Sequence, residues 1–340
     1  QLFILFMFLV VFEGALKKWF GLPSFLLIAI RDLIAIFVIC RSVQFIATSQ
    51  IKLFRNVLII WTFLIITLSF IQALAYQYSI AVVVLGWRFW LLYLWFTLAL
   101  VSSLTEEDIL ISIKYLLVIT VLLVPLAFLQ MTSSPGDIIN KQRYSASDDG
   151  NVFLLAKDIV RVTGTFTFTL GFTCFVALVM PFAFSNSWNN KKIFTNKKLA
   201  ILVTIGALFL AMSSGSRAGL IWCGFLLLNF AFIGLLVNRN KSSIFRLISL
   251  CCLILVLTFI ITFWFEGNVV AYVNRFETAS NSEYYLDRIL TLFFGEPHVF
   301  ENFTFLGHGI GLGSNAAALF ATGHVALFVT GNSSFILAES

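Results

Sequence analysis

Apolar runs of near-membrane length alternate with short polar breaks along most of the chain. A helix rises about 1.5 Å per residue and a bilayer core is about 30 Å thick, so about 20 apolar residues cross it. The runs 23–40, 56–76, 79–102, 109–130, 166–187, 199–213, 218–237 and 245–265 fit that length, and a shorter run at 1–12 precedes them. The pattern predicts an all-α, polytopic transmembrane protein of about nine spans. Two breaks are long, 131–165 and 266–331. The expected organisation is a helical bundle over 1–265 with an outer loop at 131–165, a large outer loop at 266–331, and the start of a further span at 332–340. No fixed-period repeat or low-complexity tract interrupts this scheme. The first run lacks a basic flank and an A-x-A site, so no signal peptide is expected. With Gln1 at one end and an interrupted apolar stretch at the other, the sequence reads as a fragment of a larger bundle.

Composition supports the same class. Hydrophobic residues make up 60% of the chain, charged residues only 11%, and the mean hydropathy is +0.99. Soluble domains carry about 25% charged residues. No globular interior could hide this much Phe, Leu and Ile, so lipid must be the solvent for most of it. Cys40, Cys174, Cys223, Cys251 and Cys252 all sit in apolar runs without metal-ligand spacing and read as small packing residues. His298, His308 and His324 are scattered, and the chain has no D-x-D, H-E-x-x-H or C-x-x-C. No metal or other cofactor is expected, and no nucleic-acid partner.

Basic residues set the orientation, because short inward-facing loops are enriched in Lys and Arg. Loop 188–198 holds Lys191, Lys192, Lys197 and Lys198, and loop 238–246 holds Arg239, Lys241 and Arg246. Alternation places 41–55 and 103–115 on the same inner side. Together these four segments carry eleven basic residues against Glu106, Glu107 and Asp108. Both long polar stretches then lie on the outer face, where chemistry is expected.

Arginines stand out there. Arg161 sits in R-V-T-G-T-F, Arg217 in S-S-G-S-R-A-G, and Arg275 and Arg288 on the large loop. A guanidinium fork matches phosphate oxygens and stays charged at any working pH, so such a set suits a pyrophosphate. Ser213, Ser214 and Ser216 offer hydroxyl donors beside Arg217. The bland alternative is that outer arginines pair with nearby acids. Arg31, Asp32 and Arg88 lie within apolar runs, where an unpaired charge costs about 2.5–3.5 kcal/mol, so each should face a cavity or an ionic partner. Arg31 and Asp32, about 100° apart on a helix, are expected to have different partners. Arg88 either lines a site or makes an interhelical pair. In E-G-A-L-K-K-W, assigned to the first outer loop, Glu13 is a candidate base and Lys17, Lys18 and Trp19 are candidate interfacial anchors. The run G-H-G-I-G-L-G-S-N has glycine at every second position. It is either a flexible loop or a backbone nest for an anion through Gly309 and Gly311, with His308 nearby.

These motifs, in this order, resemble the O-antigen ligase and polymerase group: S-S-G-S-R-A-G, R-V-T-G-T-F, R-x-x-x-L from Arg288 to Leu292, and the glycine run. The F-E-G-A-L-K-K-W start and the R-D pair look like one branch of it. The resemblance covers most of the chain. It implies a multi-helix protein of the bacterial inner membrane with a large periplasmic loop. It further implies a metal-independent, inverting glycosyltransferase drawing on an undecaprenyl-pyrophosphate-linked glycan. Pyrophosphate-binding arginines carry over onto Arg161, Arg217 and Arg288, with Arg88, Arg275, Ser216, Gly309 and Gly311 as substrate-binding candidates. A base at Glu13 or His308 would deprotonate the acceptor. Partners implied are the bilayer and a chain-length regulator or flippase. Ligases of the group carry a histidine after the R-x-x-x-L motif. The aligned stretch here, T-G-N-S-S-F-I-L-A-E-S, lacks it and favours polymerase over ligase. The rival from another class is a small-solute or anion transporter, its path lined by Arg31, Asp32 and Arg88.

Overall fold

The computed structural model describes residues 2–49, 51–77, 79–141, 154–156, 159–188, 193–194 and 196–236, with single positions between 248 and 310. The described part is mostly helical. Helix α1 spans Leu2–Phe20, α2 Ser24–Thr48, α3 Lys52–Tyr76, α4 Ile80–Trp87, α5 Tyr93–Ser103 and α6 Glu106–Thr132. A π turn, Arg88–Leu92, joins α4 to α5. After a two-stranded antiparallel hairpin of β1 (Leu154–Ala156) and β2 (Ile159–Val160) come α7 (Thr169–Trp188), α8 (Lys197–Ser213) and α9 (Arg217–Leu236). The predicted span 245–265 is described only at isolated positions. The loop 266–331, but for a few positions, and the segment 332–340 lie outside the described residues.

Three helical stretches are long and apolar enough to cross a membrane: Lys52–Tyr76, Ile80–Ser103 and Glu106–Thr132. Two shorter apolar helices cover Thr169–Ser185 and Lys198–Ser213. Their surfaces fit an apolar solvent. Phe63 is 74% exposed and Leu74 82%, where water would drive such side chains inside.

Several boundaries differ from the sequence reading for identifiable reasons. Helix α6 starts three residues before the predicted span because Thr105 and Asp108 form a capping box. The Thr105 hydroxyl accepts from the Asp108 amide at 3.2 Å, and the Asp108 carboxylate accepts from the Thr105 amide at 3.1 Å. E-G-A-L-K-K-W is not a loop. Helix α1 continues through it to Phe20 and stops at Gly21, whose φ of 67° suits a residue without a Cβ. The stretch 131–165, read as loop, contains the β1–β2 hairpin, so the described fold is not purely helical.

By contacts the chain divides into two units. The first comprises residues 1–29 and 105–284. Its core packs α6, α7, α8 and α9 through Leu117, Leu123, Phe172, Met180, Leu208 and Leu210, all nearly inaccessible. Small residues let α8 sit close: a Cβ on Gly206 would come within 3.1 Å of Val124 on α6. Pro181 inside α7 has no N–H for the Ala177 carbonyl one turn back, and that carbonyl accepts instead from the Trp222 indole on α9 at 3.1 Å. The second unit comprises residues 30–104 and 285–340. In it α3 packs on α4 and α5.

Candidate functional site

The first unit gathers three of the motifs. Gly14, the second residue of E-G-A-L-K-K-W, faces the turn of R-V-T-G-T-F so closely that a Cβ there would collide with the backbone of Thr165, Phe166 and Thr167. One turn earlier on α1, the Val11 carbonyl accepts from the Thr165 hydroxyl at 2.7 Å. One turn later, Lys18 donates to the Thr163 hydroxyl. The turn itself closes through the Phe166 amide on the Thr163 carbonyl at 3.0 Å, with Gly164 left-handed at φ 55°. From the far side, Gln130 at the end of α6 accepts from the Gly164 amide at 2.8 Å and donates to its carbonyl at 3.3 Å. Gln130 is 1% exposed, so these bonds satisfy a polar group that would otherwise be stranded.

This clamp places the segment that leaves β2. Arg161, half-buried, donates from Nε to the Ser214 carbonyl at 3.4 Å. Ser214 begins the turn between α8 and α9. Its hydroxyl donates to Ala211 at 2.8 Å and accepts from the Ser216 amide at 3.2 Å, while Gly215 takes φ 65°. Arg217 follows as the first residue of α9 and is described by its backbone. The fold therefore brings the Arg161 and Arg217 segments together across more than 50 residues. Two of the three serines already spend their hydroxyl protons on the backbone of α8. Ser213 donates to Leu210 at 3.1 Å and Ser214 to Ala211, and Ser216 is buried.

Two other expectations at α1 change. Lys17 and Lys18 are not interfacial anchors, since they are 8% and 3% exposed. Lys17 pairs with Glu13 one turn back. Burial pulls the Lys18 amine down to about 7.

The second unit holds the intramembrane charges. Asp32 on α2 accepts from Arg88 Nε on one oxygen and from the Tyr93 hydroxyl on the other, the latter at 2.6 Å. Tyr93 also accepts from Arg31 at 3.1 Å and from Arg88 Nη2 at 3.4 Å. Arg31 and Asp32 thus meet at Tyr93, while Asp32 also pairs with Arg88. The π turn explains how this is possible. In an α-helix, residues five apart point about 140° away from each other. The wider π turn closes that angle and puts Arg88 and Tyr93 on one side. Arg88 makes the interhelical pair, and together with Asp32 it borders a groove of about 530 Å³ lined otherwise by apolar residues such as Ile36, Trp87 and Trp95. Close by, Ile310 at the centre of the glycine run donates its amide to Gln72 at 2.9 Å and lies against Gly86, where a Cβ would come within 2.5 Å of it.

Arg275, Arg288, His308, Gly309 and Gly311 lie outside the described residues. No group of His, Cys, Asp or Glu that could hold a metal occurs among the described residues. Comparison with protein-family models, curated proteins and solved structures finds no match to this chain.

The sequence reading missed Gly14, Lys18, Gln130, Thr163 and Tyr93. A signal existed for Gln130, a lone amide closing an apolar run, and for Gly14, a glycine inside a helical pattern.

Proposed function

We propose that this chain is a glycan polymerase of the bacterial inner membrane with about nine spans and its site on the periplasmic face. It transfers an oligosaccharide from undecaprenyl pyrophosphate to the hydroxyl of an acceptor glycan. The bond from the sugar to pyrophosphate breaks, the new glycosidic bond forms, and the acceptor proton passes to a base, Glu13 or His308. Arg161, Arg217 and Arg288 stabilise the charge developing on the departing pyrophosphate. The observation that carries this reading is the hydrogen bond from Arg161 to Ser214, which joins two arginine motifs and, through the Thr163 clamp, the Glu13 helix in one unit.

Asp32 and Arg88 are engaged with each other beside an apolar groove, which argues against a hydrated transport path along them. Transfer to a lipid A–core acceptor, a ligase activity, is the alternative within the same chemistry. Profiling of lipid-linked oligosaccharides tests the proposal. In cells carrying Arg217→Ala, short undecaprenyl-linked glycans should accumulate and long polymer should vanish. Lys keeps the charge and loses the fork, so Arg217→Lys should restore activity only in part. Polymer of normal amount and length from Arg217→Ala would refute the assignment.

A further inference from the structure

The clamp on the R-V-T-G-T-F turn has two halves. The downstream half is fixed several times over: Thr165 on Val11, the backbone of Phe166 and Thr167 on Gly14, and Gly164 on Gln130. The upstream half carries Arg161. Among the described residues, the hydrogen bond that ties it to α1 is Lys18 to Thr163. We propose that Lys18 is a positioning residue for Arg161: by holding the Thr163 hydroxyl it sets where the guanidinium meets the α8–α9 turn. What Arg161 then does rests on the transferase reading above; where it is held does not.

The chemistry of the contact fits a holding role. Lys18 is 3% exposed, so it is enclosed by protein and cannot also serve as a mobile surface charge. Burial lowers the pKa of its amine to about 7, so the neutral amine is accessible at ordinary pH and can donate to a hydroxyl without a counter-ion. Arg161 stands two residues from Thr163, within about 7 Å along the backbone. A shift of about 1 Å at a reacting group can cost about 100-fold in rate. Loss of the Lys18 bond should therefore be felt at Arg161 while the downstream contacts keep the turn attached.

The test uses the full chain in lipid nanodiscs, with amide hydrogen exchange over residues 159–163 and steady-state transfer from a lipid-linked donor. Lys18→Met and Thr163→Val should each speed exchange there at least tenfold, leaving α6 and α8 unchanged. Both should lower kcat about 10- to 100-fold with little change in KM, and the double variant should be no worse than either single one. Thr163→Ser keeps the hydroxyl and should retain wild-type exchange and rate, which separates the bond from general disruption. Unchanged exchange in both variants overturns the proposal. So does a fall in kcat with unchanged exchange, since Lys18 would then act on substrate directly, and so does faster exchange with a wild-type rate. If the wild-type chain shows no transfer at all, the transferase reading fails, and the exchange pattern alone still decides whether Lys18 holds the segment.

Discussion

Polar groups inside apolar surroundings are satisfied differently in the two units. In the first, apart from the Glu13–Lys17 pair on α1, backbone and neutral groups accept the contacts: Lys18 on a threonine hydroxyl, Arg161 on the Ser214 carbonyl, Trp222 on the carbonyl freed by Pro181. In the second, ionised side chains gather around a neutral phenol: Asp32 receives Arg88 and the Tyr93 hydroxyl, and Arg31 reaches the same phenol. Contacts with neutral partners can be lost one at a time. A charged cluster cannot lose its carboxylate without depriving Arg88 of its ion pair. On the proposed function, the first arrangement leaves a substrate anion free to compete for the arginines. The second suits a fixed joint between helices.

The sharpest way to break this contrast is Asp32→Ala. Asp32 and Arg88 are each 16% exposed, and removing one partner of such a partly buried pair costs up to about 3–5 kcal/mol because the remaining charge is left uncompensated. The variant should lose folded yield and melt well below wild type in detergent. Its Arg88–Leu92 turn should relax toward regular helix, since Asp32 is what holds residues 88 and 93 on one side. A melting temperature within a degree or two of wild type would show that the cluster is not a joint.

Gly14→Val probes the other unit. The added side chain meets backbone that cannot swing away as a flexible side chain would, so the 163–167 turn must lift off α1. Overpacking of this kind costs typically about 1–3 kcal/mol. The expected signature is a modest loss of stability with a large rise in proteolytic or exchange sensitivity near Thr165. Wild-type protection of that turn would mean that α1 does not carry it.

How much of this could be read in advance follows from the range of each interaction. The three long apolar helices are local features and were visible as runs, and the arginine motifs were visible as polar punctuation. The partners were not. Gly14 and Phe166 are about 150 residues apart, and nothing near Gly14 says that a turn will press on it. The E-G-A-L-K-K-W segment reads as a loop because three charges in seven residues break an apolar run, yet two of those charges pair as Glu13 and Lys17 on one helix face. The π turn has no compositional mark in G-W-R-F-W-L-L-Y. It becomes intelligible only once Asp32 is seen between Arg88 and Tyr93.

Lys18 also gives a pH dependence with a definite sign. Burial lowers its pKa to about 7 in the folded chain, against about 10.4 in an unfolded one. Between those values the unfolded chain binds more protons, so stability rises with pH. Below about 7 both states are charged and the folded one bears the full cost of the buried ammonium. Lys18→Met removes that cost. Its stability relative to wild type should therefore be greatest at pH 6 and should shrink at pH 9, in thermal unfolding of the detergent-solubilised protein. A gap that widens with pH would contradict the burial of the amine.

The smallest effect expected concerns Trp222 and Pro181. A net hydrogen bond contributes about 1 kcal/mol, and Trp222→Phe removes one while keeping most of the ring. It also strands the Ala177 carbonyl, because Pro181 offers no N–H from within α7. Restoring that N–H by Pro181→Ala gives the carbonyl a partner one turn away and makes the indole dispensable. The two changes should therefore couple: Trp222→Phe should destabilise the wild-type chain by about 1 kcal/mol and the Pro181→Ala chain by clearly less. Chemical denaturation of the four proteins in one detergent measures this directly. Equal costs in both backgrounds would mean that the indole acts by packing alone. The idea that side chains from other segments satisfy the first unit's backbone carbonyls would then fail at the position where it is easiest to isolate.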